Sequence, residues 1–203
     1  MGEPDFERAK QYALERLERE LPPTAYYHSV QHTRDDVLAA ALRLADIEGV
    51  TGVDRLCLLT AACYHDLGHI QHRDNHEALS AQIAADMLPR FGYGEDQIAL
   101  VQRLIMATQW PPNPQTLLEK LIADADVDSL GRDDFLQTSL NLREELAGYG
   151  VRISDEQWYA SQLEFLESHH YFSNAARQLR GEGKRRNLAL VKQLLAEARQ
   201  SKM

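Results

Sequence analysis

Residues 56–77 read LCLLTAACYHDLGHIQHRDNHE. From Leu56 to Tyr64 the run is apolar on most sides, as a central buried helix would be. The chain then places His65, Asp66, His69, His72 and His76 in quick succession. Side chains of this kind lose hydration energy beside a core unless something pairs with them. The stretch therefore sets both the fold, a helix buried on most of its faces, and the question of what its polar end holds.

Helical periodicity continues outward on both sides. Residues 5–21 carry charge pairs at i, i+4 and stop at Pro22-Pro23. Residues 29–48 place Val37, Leu38, Ala41, Leu42 and Ala45 on one face before Gly49, and the buried helix itself spans 54–66, with Gly68 as its stop. Asp74 with Glu77 has the form of a capping box, opening a helix that runs to about Leu88. Residues 95–108 repeat Ile98, Val101, Leu104 and Ile105. The chain breaks at "WPPNP" and resumes over 115–125, followed by periodic segments at 132–147, 155–169 and 185–200. No alternating strand pattern exceeds about four residues. The expected fold is all-α: one domain over residues 1–203, with a core at about 26–130 and C-terminal helices over 132–200 packing on it.

Composition bounds the function. The chain has 203 residues and a net charge of −9, 44% hydrophobic and 7% aromatic residues. The acidic balance argues against bulk nucleic-acid binding, and no apolar run is long enough to span a membrane. The charged N-terminus lacks a secretory signal. Its Met1-Gly2 start, with Pro4 and with Phe6 where a Ser or Thr would favour myristoylation, argues against lipidation. Cys57 and Cys63 read as small buried hydrophobes. These features together point to a cytoplasmic protein.

Three segments carry the polar chemistry. "YYHSVQHTRDDV" (26–37) places His28 and His32 four apart. "CYHDLGH" (63–69) places His65 and Asp66 at the end of the buried helix, with His69 four after His65. "LIADADVDSLG" (121–131) places Asp124, Asp126 and Asp128 at the C-terminal end of another apolar helix. Acids there oppose the helix macrodipole, and a nearby cation would offset that. Imidazole and carboxylate together suit divalent transition metals such as Mn, Fe, Co, Ni or Zn, with Mg also allowed. Such an ion polarises a phosphoryl oxygen and brings the pKa of bound water toward about 7.

His32, His65-Asp66 and the later Asp of "DADVDSLG" resemble the H…HD…D signature of the HD superfamily of metal-dependent phosphohydrolases. "YHSVQHTRDDV", "HDLGH" and "NHEALSA" are similar, in order, to segments of the cyclic-nucleotide phosphodiesterase core. The tail "FLESHHYFSNAARQLRGEGKRRN" resembles that of small HD proteins. The similarity proper spans roughly residues 26–130. The resemblance implies His32, His65, Asp66 and Asp126 as metal ligands, with Asp124 capping or supporting them. It implies His28 as general acid, so that His28 and Asp66 are the catalytic pair. His69 and His76, with Gln109 and Lys184, would meet a second metal or the substrate phosphate. Ser29 stands where the phosphodiesterases carry Asn. Gln109-Trp110 stands where related enzymes often supply an acid or a His, which leaves a second metal position short of a ligand. The glutamine that reads the purine in those enzymes has no counterpart here, so cyclic-nucleotide specificity does not carry over.

The activity implied is hydrolysis of a phosphate ester or anhydride of a nucleotide or another small phosphorylated metabolite, with homo-oligomers left open. The alternatives are an HD-type di-iron oxygenase and a non-catalytic nucleotide-sensing or partner-binding module.

Overall fold

The computed structural model describes residues 3–200; the Met1-Gly2 start lies outside them. Among the described residues the chain is helical throughout, with nine α-helices and no strand. They are α1 (Phe6–Glu20), α2 (Leu38–Ile47), α3 (Gly52–Tyr64), α4 (His76–Met87), α5 (Glu95–Met106), α6 (Leu117–Asp126), α7 (Phe135–Gly148), α8 (Asp155–Ser168) and α9 (Asn174–Gln200). Among the described residues no helix is long and apolar enough to cross a membrane.

Every residue of α3 from Cys57 to Tyr64 is buried. This follows from its apolar sequence: α3 packs against α1, α2, α5 and α6 at once. Cys57 and Cys63 lie inside as free thiols. Three element ends then meet at one place. α3 stops at Tyr64 and hands over to a 3₁₀ turn, Leu67–Ile70. α6 stops at Asp126 and hands over to another, Asp128–Gly131. A wide π-helical turn, His32–Val37, leads into α2. π turns are rare and cluster at functional sites.

Three sequence expectations about helix boundaries change. Asp74 caps nothing. Asn75, in the left-handed region at φ 59°, precedes α4 without a side-chain cap. The chain has to reverse sharply here because His76 returns directly over Gly68. A Cβ on Gly68 would lie 2.0 Å from the His76 carbonyl oxygen. Gly68 therefore does not stop α3, which has already ended; it lets the backbone of His76 pass.

The last helix begins at Asn174 and not at 185. "GEG" at 181–183 reads locally as a helix breaker, but packing overrides it. α9 crosses the Asp128–Gly131 turn so closely that a Cβ on Gly183 would sit 1.9 Å from Gly131 O. Asn187 secures the crossing, its Nδ2 donating to Leu130 O (2.9 Å) and Arg132 O (2.8 Å).

The two α9 glycines should therefore respond oppositely to alanine. Gly181 has nothing within 4 Å of an added Cβ, so Gly181→Ala should stabilise by roughly 0.5–1 kcal/mol through helix propensity. Gly183→Ala should destabilise by about 1–3 kcal/mol through overpacking. Urea unfolding of the two variants beside wild type measures both signs.

Candidate metal centre

Where the three element ends meet, Asp66 is 2% exposed and surrounded by imidazoles. Its two oxygens face different sets. Oδ2 lies 3.2 Å from His65 Nε2 and 3.8 Å from His32 Nε2, and Asp126 Oδ1 closes this group at 3.3 and 3.4 Å from the same two nitrogens. Oδ1 lies 3.5 Å from His76 Nε2 and 3.9 Å from His69 Nε2. The rings of His28, His69 and His76 form a stack, with centroids 4.0 Å and 3.9 Å apart. Two sets, His32–His65–Asp66 and His28–Asp66–His69, each bring ligand atoms within 4.8 Å of one another.

The other ring nitrogens explain this orientation. His65 Nδ1 meets Ala62 O at 2.9 Å, and His76 Nδ1 meets Arg73 O at 3.1 Å. A peptide carbonyl only accepts, so the proton sits on Nδ1 and the Nε2 lone pair points inward. His32 Nδ1 faces Asp36 Oδ2 at 3.7 Å, and Asp36 is itself held by Arg132. Such outer partners fix the tautomer of metal-binding histidines.

Chemically, the inward-facing set fits a divalent metal. His65 Nε2, Asp66 Oδ2 and His69 Nε2 are buried without a hydrogen-bond partner, a cost that native interiors avoid. The donors are imidazole nitrogens and carboxylate oxygens, the mixture that borderline transition metals prefer. The ionisation pattern agrees. Burial opposes charging of His32, but the Asp126, Asp36 and Asp66 carboxylates outweigh it and push its pKa up to about 9. His65 is raised in the same way. Burial would raise Asp66 and Asp126, yet the neighbouring imidazoles hold both below the usual carboxylate range. Burial keeps His69 neutral, lowering its pKa to about 3. Positive charge is thus favoured between these groups, and a metal ion can supply it.

Asp124 and Asp126 have separate partners. Asp124, 1% exposed, accepts hydrogen bonds from the backbone N–H groups of Phe172 (2.8 Å) and Ser173 (2.7 Å), just ahead of α9. Asp126 faces His32 and His65. Asp128 is buried between Arg43 and Arg180.

A cleft of about 260 Å³ opens on this centre, lined on one side by His28, Asp66, His76 and Asp126. Gln109 and Lys184, expected beside it, are not among its lining residues. Around the "WPPNP" break alternate residues face opposite ways. Thr108, Trp110 and Pro112 line the cleft, whereas Gln109, Pro111 and Asn113 line a separate outer groove. Lys184 sits in mid-helix, and its ammonium donates to the His169 carbonyl oxygen. His72 is exposed.

In the cleft wall and behind it stand residues that sequence reasoning did not single out. Glu145, 2% exposed, accepts from the backbone N–H groups of Tyr27 and His28 at 2.9 and 3.0 Å, and its other oxygen meets His28 Nδ1 at 2.5 Å. Burial would raise its pKa, but His28 brings it below the ordinary value, so it is a carboxylate. His28 is thereby fixed with Nε2 as its free nitrogen. Tyr27, Phe165 and Phe172 complete the wall. Nothing local marks Glu145: it is one acid among several in a polar helix, 117 residues from His28.

The HD domain family model matches residues 27–131. No curated protein matches the sequence. Two solved structures share the fold. One is a predicted HD superfamily hydrolase from an uncultured Thermotogales bacterium, 19% identical, TM-score 0.63, covering 96% of this chain and 93% of that one. The other is Bacillus subtilis YpgQ in complex with ADP, 19% identical, TM-score 0.68, covering 95% of this chain and 97% of that one.

Paired substitutions should separate the two aspartates. Asp124→Asn should destabilise by about 1–3 kcal/mol, because an amide N–H would meet a backbone N–H, while metal content stays at the wild-type level. Asp126→Asn should lower metal content. Thermal unfolding together with elemental analysis of both proteins checks the assignment.

Proposed function

This chain belongs to the HD-domain family, and from that premise we propose that its cleft hydrolyses a phosphate ester or anhydride of a small phosphorylated metabolite, with a nucleotide as the favoured class. The observation that carries this reading is Asp66, whose two oxygens face two separate sets of histidines. His32, His65, Asp66 and Asp126 would hold one ion. Asp66 and His69, with His76 3.5 Å from Asp66 Oδ1, would hold a second. When bound, the ions polarise the phosphoryl oxygen and activate water. The metals that suit the donors are Mn, Fe, Co, Ni or Zn. The nucleotide preference draws support from YpgQ, which was solved with ADP, and from the aromatic wall opposite the metal end.

His28 has the proton-transfer role. The Glu145 carboxylate accepts a hydrogen bond from Nδ1–H and so aims Nε2 at the cleft, from where a proton can be given to the leaving oxygen. An imidazole held by a buried carboxylate is a recurring arrangement in acid–base catalysis. His28 also lies within reach of Asp66 and His69, and a variant can distinguish an acid from a ligand.

As an acid, His28→Ala should retain its metal and lose about 10²–10⁴ in kcat on a poor leaving group. The loss should be much smaller on a nitrophenyl phosphodiester, whose leaving group needs little protonation. Equal losses on both substrates, with metal depleted, would make His28 a ligand.

The broader reading is tested by phosphate release from a panel of nucleotides and phosphometabolites. Each of Mn, Fe, Co, Ni, Zn and Mg is added to metal-free protein. Wild type should turn over at least one substrate, and elemental analysis should show two ions per chain, falling to about one in His69→Ala. Iron retention with O2 consumption and no phosphate release would overturn the hydrolase.

A further inference from the structure

His169 is 6% exposed, and neither of its ring nitrogens has a hydrogen-bond partner. A neutral imidazole has one donor and one acceptor, and burying such a group unmet costs about 1–3 kcal/mol. The ring nevertheless lines the cleft, with both nitrogens closed to solvent until the ring turns. Packing holds it there. It lies parallel to Phe165 at 6.2 Å and edge-on to Tyr171 at 4.8 Å, and the Lys184 ammonium fixes its backbone carbonyl. Burial lowers its pKa to about 3, with Lys184 and His170 acting the same way. It therefore offers one hydrogen-bond donor and one acceptor.

Its surroundings indicate what it could meet. Trp110, 51% exposed at the rim, tilts over Phe165 with ring centroids 4.8 Å apart. Phe172 and Pro112 extend the same wall. The cleft, at about 260 Å³, is close to the lower end of ligand pockets, roughly 300–1,000 Å³, so it takes one small molecule. One end is metal-binding and the other is aromatic. A ligand filling both carries phosphate at one end and, at the other, a flat apolar face with a polar edge. Aromatic walls select flat faces over sugar rings through stacking.

We infer that His169 is a specificity-determining residue of this cleft. Its ring hydrogen-bonds the polar edge of a planar heteroaromatic group, of the nucleobase class, packed against Phe165 and Phe172 beneath Trp110. This assignment rests on the phosphohydrolase reading for the other end of the ligand.

Calorimetry of the protein as purified, with AMP, GMP, CMP, UMP and base-free ribose 5-phosphate as probes, tests it. At least one nucleotide should bind about tenfold or more tightly than ribose 5-phosphate. His169→Phe keeps a flat ring and removes both nitrogens. It should abolish roughly tenfold of that preference, the usual worth of a hydrogen bond, and leave ribose 5-phosphate within twofold. Its melting temperature should be unchanged or higher, since no protein hydrogen bond is lost. Trp110→Ala, at the exposed rim where folding is not at stake, should likewise weaken nucleotide binding alone. Ribose 5-phosphate binding as tightly as every nucleotide, or equal changes for all five probes in both variants, overturns the assignment. If those results come with phosphate turnover intact, the hydrolase reading survives without it. Base-dependent binding that both variants erase, with no turnover of any substrate, supports the assignment and removes the hydrolase reading.

Discussion

Asp66 is a buried carboxylate that must serve histidines on two sides. Each oxygen is committed to a different group of ring nitrogens, one toward His32 and His65, the other toward His69 and His76. Charge buried in this way is stable only when it is paired. Much of the surrounding structure keeps the partners in place. Backbone carbonyls of Ala62 and Arg73 hold the far sides of His65 and His76, and the Arg132–Asp36 pair stands behind His32. The centre is thus built so that nitrogen lone pairs and carboxylate oxygens face each other, an arrangement satisfied by shared protons or by a metal.

Close backbone approaches make this geometry attainable. His76 reaches Asp66 only because Gly68 leaves room for the start of α4, and α9 closes over the Asp128–Gly131 turn only because Gly183 meets Gly131. Asp124 and Asp126 use the helix in a complementary way. Two residues apart, they point about 200° from each other around α6. One receives the segment that leads into α9, and the other faces the histidines. A single helix end thereby joins the metal centre to the C-terminal third of the chain.

That C-terminal third supplies part of the cleft wall. The match to the HD domain ends at residue 131, and the lining residues Leu142, Phe165, His169 and Phe172 all lie beyond it, as does Glu145 behind His28. The metal end belongs to the part of the chain shared with the family. Phe165, His169 and Phe172 of the aromatic end, and the carboxylate that orients His28, lie on the helices and connections that follow it.

The amino-acid sequence by itself determined the helices and the grouping of the metal-binding residue types. A 3.6-residue apolar period and the sharp change from Leu56–Tyr64 to His65-Asp66 are short-range signals, readable within one or two turns. The same locality misjudged α9, where "GEG" looks like a break until Gly131 is packed against it. It also misjudged Asp74, whose capping partner was correctly spaced but which lies one residue ahead of Asn75, the residue that precedes α4. Only the tertiary structure decided that Trp110 and not Gln109 faces the cleft, that Lys184 serves the His169 backbone, that Glu145 stands behind His28, and that His169 lines the aromatic end. Contacts that span a hundred residues depend on how helices cross, and no local pattern of charge or periodicity records that crossing.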